Sequence, residues 1–240
     1  MPASTEITTN VQPAVRRSSM KRHLQGIVFM LVWIAVAFAC AGTLNWWRGW
    51  FASLTLFITM QVMGIIVNRR NPELFPAREK WRRKDTKPFD KVFIALQFPL
   101  SLAQPVAAGL DVRFHRSWSN PWTLFPATGL YLLAMVMIGW TMAVNRWAET
   151  TVRIQSDRGQ QVVRSGPYRW VRHPMYLGCL AMYPGTAWML GSPTALMLAV
   201  LHDLTFVVRT ALEDRTLQRE LPGYRDYSAE TRWRLLPGIW

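Results

Sequence analysis

Long apolar runs alternate with short, strongly basic polar stretches along this chain. The runs are too long for the half-buried elements of a water-soluble domain. Blocks able to cross about 30 Å of hydrocarbon lie near residues 24–44, 50–67, 90–110, 122–144, 174–191 and 193–208. The last two are short, so the pattern predicts an all-α polytopic membrane bundle of about six spans, with five as the alternative. Pro174 is well placed as the first residue of the fifth span. The sixth block has no stop at the membrane edge and runs on through Arg209, Glu213, Leu217 and Glu220 as a helical extension, ended by Pro222-Gly223.

The polar intervals divide the chain further. Residues 1–20, rich in Ser, Thr and Pro, read as a disordered tail, and residues 21–144 as four spans with an ordered loop at 68–91. Residues 145–240 hold the last two spans and a polar tail. The first two spans form a hairpin across Asn45-Trp46-Trp47-Arg48-Gly49, whose tryptophans suit a membrane interface. Pro99 and Pro105 remove backbone donors from the third span and are expected to kink it. After the fourth span, Val152-Arg153-Ile154-Gln155 and Gln161-Val162-Val163-Arg164 read as two short extended stretches about an Asp157-Arg158-Gly159 turn. The run ending at Cys40 imitates a cleaved signal, but it continues past the cysteine and leads by a tight turn into the next span, so it is read as a span.

Composition changes this picture only through charge. Half of the 240 residues are hydrophobic and 18% are charged, and the formal net charge is +14, a balance that in a soluble protein would raise nucleic-acid binding. With the N-terminus inside, 25 of the 28 Lys/Arg fall on the cytoplasmic side, leaving Arg48, Arg113 and Arg116 outside. That asymmetry follows the positive-inside tendency and predicts both termini in the cytoplasm, an inner (plasma) membrane location, and the lipid bilayer rather than nucleic acid as partner. Cys40 and Cys179 each lie inside an apolar block, so they build neither a disulfide framework nor a zinc site, and no metal is expected.

Two groups of residues could carry chemistry. Arg164, Tyr168, Arg169, Arg172, His173 and Tyr176 crowd the cytoplasmic mouth of the fifth span, where a helix N-terminus at Pro174 offers free amides and a positive dipole to a carboxylate or phosphate. The same residues also fit ordinary interfacial positions. Arg209 and Glu213 are four apart on one helix face and could be a plain ion pair. His202 and Asp203, costly in lipid, mark a polar interior; a buried hydrogen bond explains them better than a proton relay.

In order along the chain, Arg164-Ser165-Gly166-Pro167-Tyr168, Arg172-His173-Pro174-Met175-Tyr176-Leu177-Gly178, Glu213-Asp214 with Leu217, Gly223-Tyr224, Tyr227 and Leu236-Pro237 resemble the isoprenylcysteine carboxyl methyltransferase family over about residues 145–240. They also resemble the phospholipid N-methyltransferases and thiol methyltransferases that share the Arg-His-Pro core. The resemblance implies a helical membrane enzyme that holds S-adenosyl-L-methionine in a pocket of its C-terminal spans and connector. By position, Gln160, Gln161, Val162, Val163, Tyr168, His173, Pro174, Met175, Tyr176 and Glu213 would contact that donor. Arg209 would orient a hydrophobic or lipid-bearing acceptor ending in a carboxylate, thiol or amine, with Arg209 and Glu213 as the catalytic pair. Gln160 stands where relatives often have histidine, and Glu230 lies in a stretch that is usually more basic.

Two other classes fit less of the pattern. A membrane reductase would bind a nicotinamide cofactor, and a transporter or structural protein would spread polar residues along several spans at mid-depth. Here they gather at one mouth.

Overall fold

The computed structural model describes residues 6–80, 83–118 and 120–240, with side chains described from Leu24 onward. Among these residues eight α-helices follow one another: α1 (Glu6–Ala41), α2 (Trp47–Arg70), α3 (Leu74–Glu79), α4 (Pro88–Arg113), α5 (Leu124–Val144), α6 (Pro174–Leu190), α7 (Pro193–Glu220) and α8 (Tyr224–Glu230). No strand occurs among the described residues. The chain is an all-α integral membrane protein. Among the described residues five helices are long and apolar enough to cross a bilayer, namely those containing Leu24–Ala41, Trp47–Arg70, Pro88–Arg113, Pro121–Val144 and Pro193–Glu220.

The six long helices close into a ring in the order α1, α4, α7, α6, α5, α2. Large apolar side chains such as Leu31, Leu54, Phe98, Leu133 and Leu204 point outward, where water would make them a liability and lipid does not. α6 is different. At about 1.5 Å per residue its 17 residues reach about 25 Å, short of a roughly 30 Å core. None of its residues is exposed, and it meets α2, α4, α5 and α7, so its neighbours screen it from the lipid. Glycine allows the closest approach: a Cβ on Gly178 would overlap Ile138 of α5, and one on Gly185 would press on the Tyr131 backbone.

The two ends of the bundle are held by different chemistry. At one end Arg48, 3% exposed, donates to the carbonyls of Met189, Trp118 and Asn120 and to Thr123 Oγ1, while Asp111 accepts from Ser192 Oγ, Thr194 N and Thr194 Oγ1. These bonds tie the α1–α2, α4–α5 and α6–α7 turns together. The opposite end carries α3, the connector 145–173, α8 and the tail.

Two expectations are revised. Residues 6–20 of the expected disordered tail are the first turns of α1, because extending a helix that a span has already nucleated fixes only one residue per added bond; residues 1–5 lie outside the described residues. The two extended stretches of the connector do not pair as a ladder. Gln155 N donates instead to the Gln160 side chain (2.7 Å), and a 3-10 turn at Ser156–Arg158 ends in Gly159 at φ +61°, the left-handed region glycine favours. The continuation of α7 to Glu220 is as the sequence predicts.

Candidate functional site

The connector 145–173 is folded by buried charge. Arg153, 4% exposed, is gripped by Glu149 (3.0 Å) and Asp157 (2.7 Å) and also meets Asp85 (3.1 Å). Burial pulls the Arg153 pKa down, but the hydrogen bonds and charges of Glu149 and Asp157 more than offset it and leave it raised. The same hydrogen bond from Arg153 holds the Asp157 carboxyl below the usual range. Asp90, in the first turn of α4, fastens the connector to the bundle: its Oδ2 accepts from Val152 N at 2.7 Å, while Lys87 N donates to Val152 O at 3.0 Å.

The C-terminal tail closes over the connector through Asp214. This carboxylate is fully buried and receives Arg172 as a two-pronged pair (2.8 and 3.0 Å), Arg234 (2.9 Å), Gln218 (2.8 Å) and the Tyr224 hydroxyl (3.0 Å), with His173 Nε2 at 3.2 Å. Arg172 also donates to the carbonyls of Thr231 and Arg232, and the backbone amides of Arg172 and His173 donate to Trp233 O and Arg234 O. Arg172 is therefore committed to the tail and is no free anion receptor at the α6 N-terminus. Burial first, and then the Asp214 charge, push the Tyr224 hydroxyl pKa far above its ordinary value.

Between the connector, α6, α7 and α8 lies an open-mouthed cavity. Its wall contains Gln160, Gln161, Val162, Val163, Tyr168, His173, Met175, Tyr176, Arg209 and Glu213, residues singled out from the sequence; Pro174 is buried at the start of α6 and does not line it. Trp147 Nε1 and Thr151 Oγ1, on the same wall, are buried without a hydrogen-bond partner among the described residues. Tyr168 accepts from Asn145 Nδ2 (2.6 Å), and burial raises its pKa well beyond the ordinary range. The His173 ring stacks parallel to Tyr176, with centroids 5.7 Å apart.

Arg209 and Glu213 are not partners of each other. Tyr176 donates its hydroxyl to Glu213, whereas Arg209 Nε lies 2.9 Å from Asp90 Oδ1, close enough for an ion pair but not aligned as a hydrogen bond. Arg209 Nη2 donates to Thr150 O (2.8 Å), and the guanidinium sits between the rings of Phe93 (4.2 Å) and Tyr176 (5.2 Å). Of the mid-span polar residues, His202 meets Gln97 Oε1 at 2.8 Å, a packing bond away from the cavity. Glu230, the tail departure, pairs with Arg164.

This cavity sits in a segment with relatives. Residues 127–219 match the model of the "Isoprenylcysteine carboxyl methyltransferase (ICMT) family". The likeness is to this segment and not to the whole chain. The matched segment supplies α5 from Ala127, the connector, α6 and nearly all of α7; Leu221, Tyr224 and Tyr227, which complete the wall, lie beyond it. A curated relative, "Nickel-cobalt-cadmium resistance protein NccN" of Alcaligenes xylosoxydans xylosoxydans, is 30% identical over 118 residues, 49% of this chain and 53% of that protein. The chain thus spans about half the length of the curated relative it matches. The solved structure of the eukaryotic intramembrane Ras methyltransferase ICMT has the same fold, at a TM-score of 0.55 and 16% identity, over 90% of this chain and 86% of that one.

Asp90, Trp147, Thr151 and the hub role of Asp214 were not read from the sequence. Asp90 sits in an apolar span opening, Lys87-Pro88-Phe89-Asp90, as an ordinary first-turn acid would. Only the fold brings it to Arg209, far along the chain.

Proposed function

We propose that this protein is an S-adenosyl-L-methionine-dependent methyltransferase of the membrane, acting on a hydrophobic or lipid-bearing acceptor that enters sideways from the bilayer. The observation that carries the reading is that the matched segment's connector and its two last helices wrap one cavity, containing all but one of the residues the resemblance points to. The wall suits the donor's parts. The tyrosines and Trp147 offer flat faces for a base, Glu213 a negative charge, and Trp147 Nε1 and Thr151 Oγ1 are buried groups without a hydrogen-bond partner among the described residues.

When bound, the donor supplies an electrophilic methyl group on a sulfonium. The chain's part is to bind, orient and exclude water, since an in-line displacement needs little acid or base work. Glu213 would face the positive end of the donor and Arg209, held between Phe93 and Tyr176, would aim the acceptor. The Lys/Arg distribution supports a cytoplasmic mouth for this cavity. The test is transfer of label from methyl-labelled donor into an apolar membrane extract by purified protein in lipid nanodiscs. Label in the lipid phase supports the reading; protein that neither binds donor nor transfers label contradicts it.

A further inference from the structure

We propose that the outer side of the cavity wall is a docking site for one anionic phospholipid of the leaflet at this end of the bundle, and that the docked lipid tightens the hold on the methyl donor. The docking stands independently; only the coupling to the donor rests on the methyltransferase reading. An open groove lies beside the cavity, lined by Val144 at the end of α5 and by Arg164, Ser165 and Arg169 of the connector. No acidic residue among the described residues lines it, although Glu230 reaches Arg164 from the tail. Arg169 is exposed and makes no hydrogen bond or ion pair among the described residues. A phosphodiester set on this groove would meet the unpaired guanidinium of Arg169, the remaining edge of Arg164 and Ser165 Oγ as a further donor. A zwitterionic head would also bring an ammonium, for which the lining has no carboxylate.

The surroundings fit a lipid and not a soluble anion. Trp140, one helical turn before Val144, and Trp170, next to Arg169, are both exposed and meet edge to face with ring centroids 5.5 Å apart, and tryptophan favours the membrane–water interface. Leu133, Val136 and Trp140 recur at helical spacing on the exposed face of α5 and lead to Val144. At about 1.5 Å per residue the stripe from Leu133 to Val144 is about 16 Å long, close to half of a roughly 30 Å core. That is the reach of an acyl chain in one leaflet. The coupling follows from the shared wall. Gln161, Val162 and Val163 line both the groove and the donor cavity. No hydrogen bond joins the backbone of residues 161–164 to the rest of the described residues, so side chains alone hold this wall. A lipid seated outside would order it before the donor arrives and lower the entropy cost of donor binding.

The experiment releases the full chain from nanodiscs of mixed phosphatidylcholine and phosphatidylglycerol into a native mass spectrometer and counts the lipid retained. Donor affinity is then measured in nanodiscs with and without phosphatidylglycerol. Wild type is expected to keep one phosphatidylglycerol in preference to phosphatidylcholine, and to bind S-adenosyl-L-methionine about fivefold more tightly when phosphatidylglycerol is present. Arg169→Gln should abolish both the preference and the gain. Arg69→Gln, which removes another exposed arginine at the same end of the bundle, should keep both. No lipid preference in wild type, a preference for phosphatidylcholine, or equal losses in the two variants would overturn the docking. A retained phosphatidylglycerol with unchanged donor affinity would overturn the coupling. Wild type that keeps the lipid but binds no donor would bring down the methyltransferase reading and the coupling with it, while the docking stands, so the failures are distinguishable.

Discussion

Replacing Asp214 with alanine removes one carboxylate and strands the groups that converge on it: two arginines, a glutamine amide, a tyrosine hydroxyl and an imidazole. The side chain is fully buried, and Arg172 is 6% exposed, so water cannot replace the lost acceptor without opening the fold. Breaking a buried, hydrogen-bonded ion pair by deleting one partner costs about 3 to 5 kcal/mol. For a chain of this size about 1 kcal/mol shifts the melting temperature by about 2 to 4 °C, so Asp214→Ala should lower it by about 6 to 20 °C. The assay is thermal unfolding of the purified protein in detergent. The neighbouring Glu213→Gln serves as the control: it alters one hydrogen bond to Tyr176 and should cost about 1 kcal/mol. If Asp214→Ala melts within about 2 °C of wild type, or no lower than Glu213→Gln, the tail is not held by this carboxylate and the reasoning is refuted.

At the opposite end of the bundle, Arg48→Ala should cost about 2 to 3 kcal/mol of stability, since it leaves buried carbonyls without their donor, and should not alter donor affinity in protein that remains folded. Gly178→Val should destabilise by about 1 to 3 kcal/mol, read by the same melting assay, because its Cβ would force α5 and α6 apart at Ile138. Arg209→Lys should lower turnover while leaving donor affinity nearly intact, as an ammonium cannot reproduce a planar edge held between two rings; calorimetry and labelled transfer separate the two effects. Reporter fusions should place residues near 160 inside and near 47 outside, in keeping with the distribution of Lys/Arg.

The bundle was legible because lipid imposes its own pattern: apolar runs of fixed length must be helices, and their ends carry basic residues and tryptophans. α6 was ambiguous for a physical reason. Its length falls short of the hydrocarbon core, and only packing shows that its neighbours enclose it. Most of the cavity wall was legible because it falls in one dense stretch, 160–176, plus one helix face at Arg209 and Glu213. What stayed hidden are pairings set by long-range folding. Arg209 and Glu213 have the spacing of an ion pair, yet Asp90 from α4 and Tyr176 from α6 reach them first. Arg172 looked available to a ligand, and no local pattern shows that Asp214, 42 residues on, has already taken it.

The measurement that bears most directly on the central claim is equilibrium binding of labelled S-adenosyl-L-methionine to the purified, folded chain in detergent. The account predicts saturable binding of about one donor per chain, displaced by S-adenosylhomocysteine. Glu213→Gln should weaken it about tenfold, the equivalent of about 1.4 kcal/mol for a lost contact to a charged group. Folded protein that binds no S-adenosyl-L-methionine, or that binds a reduced nicotinamide dinucleotide in its place, would contradict it.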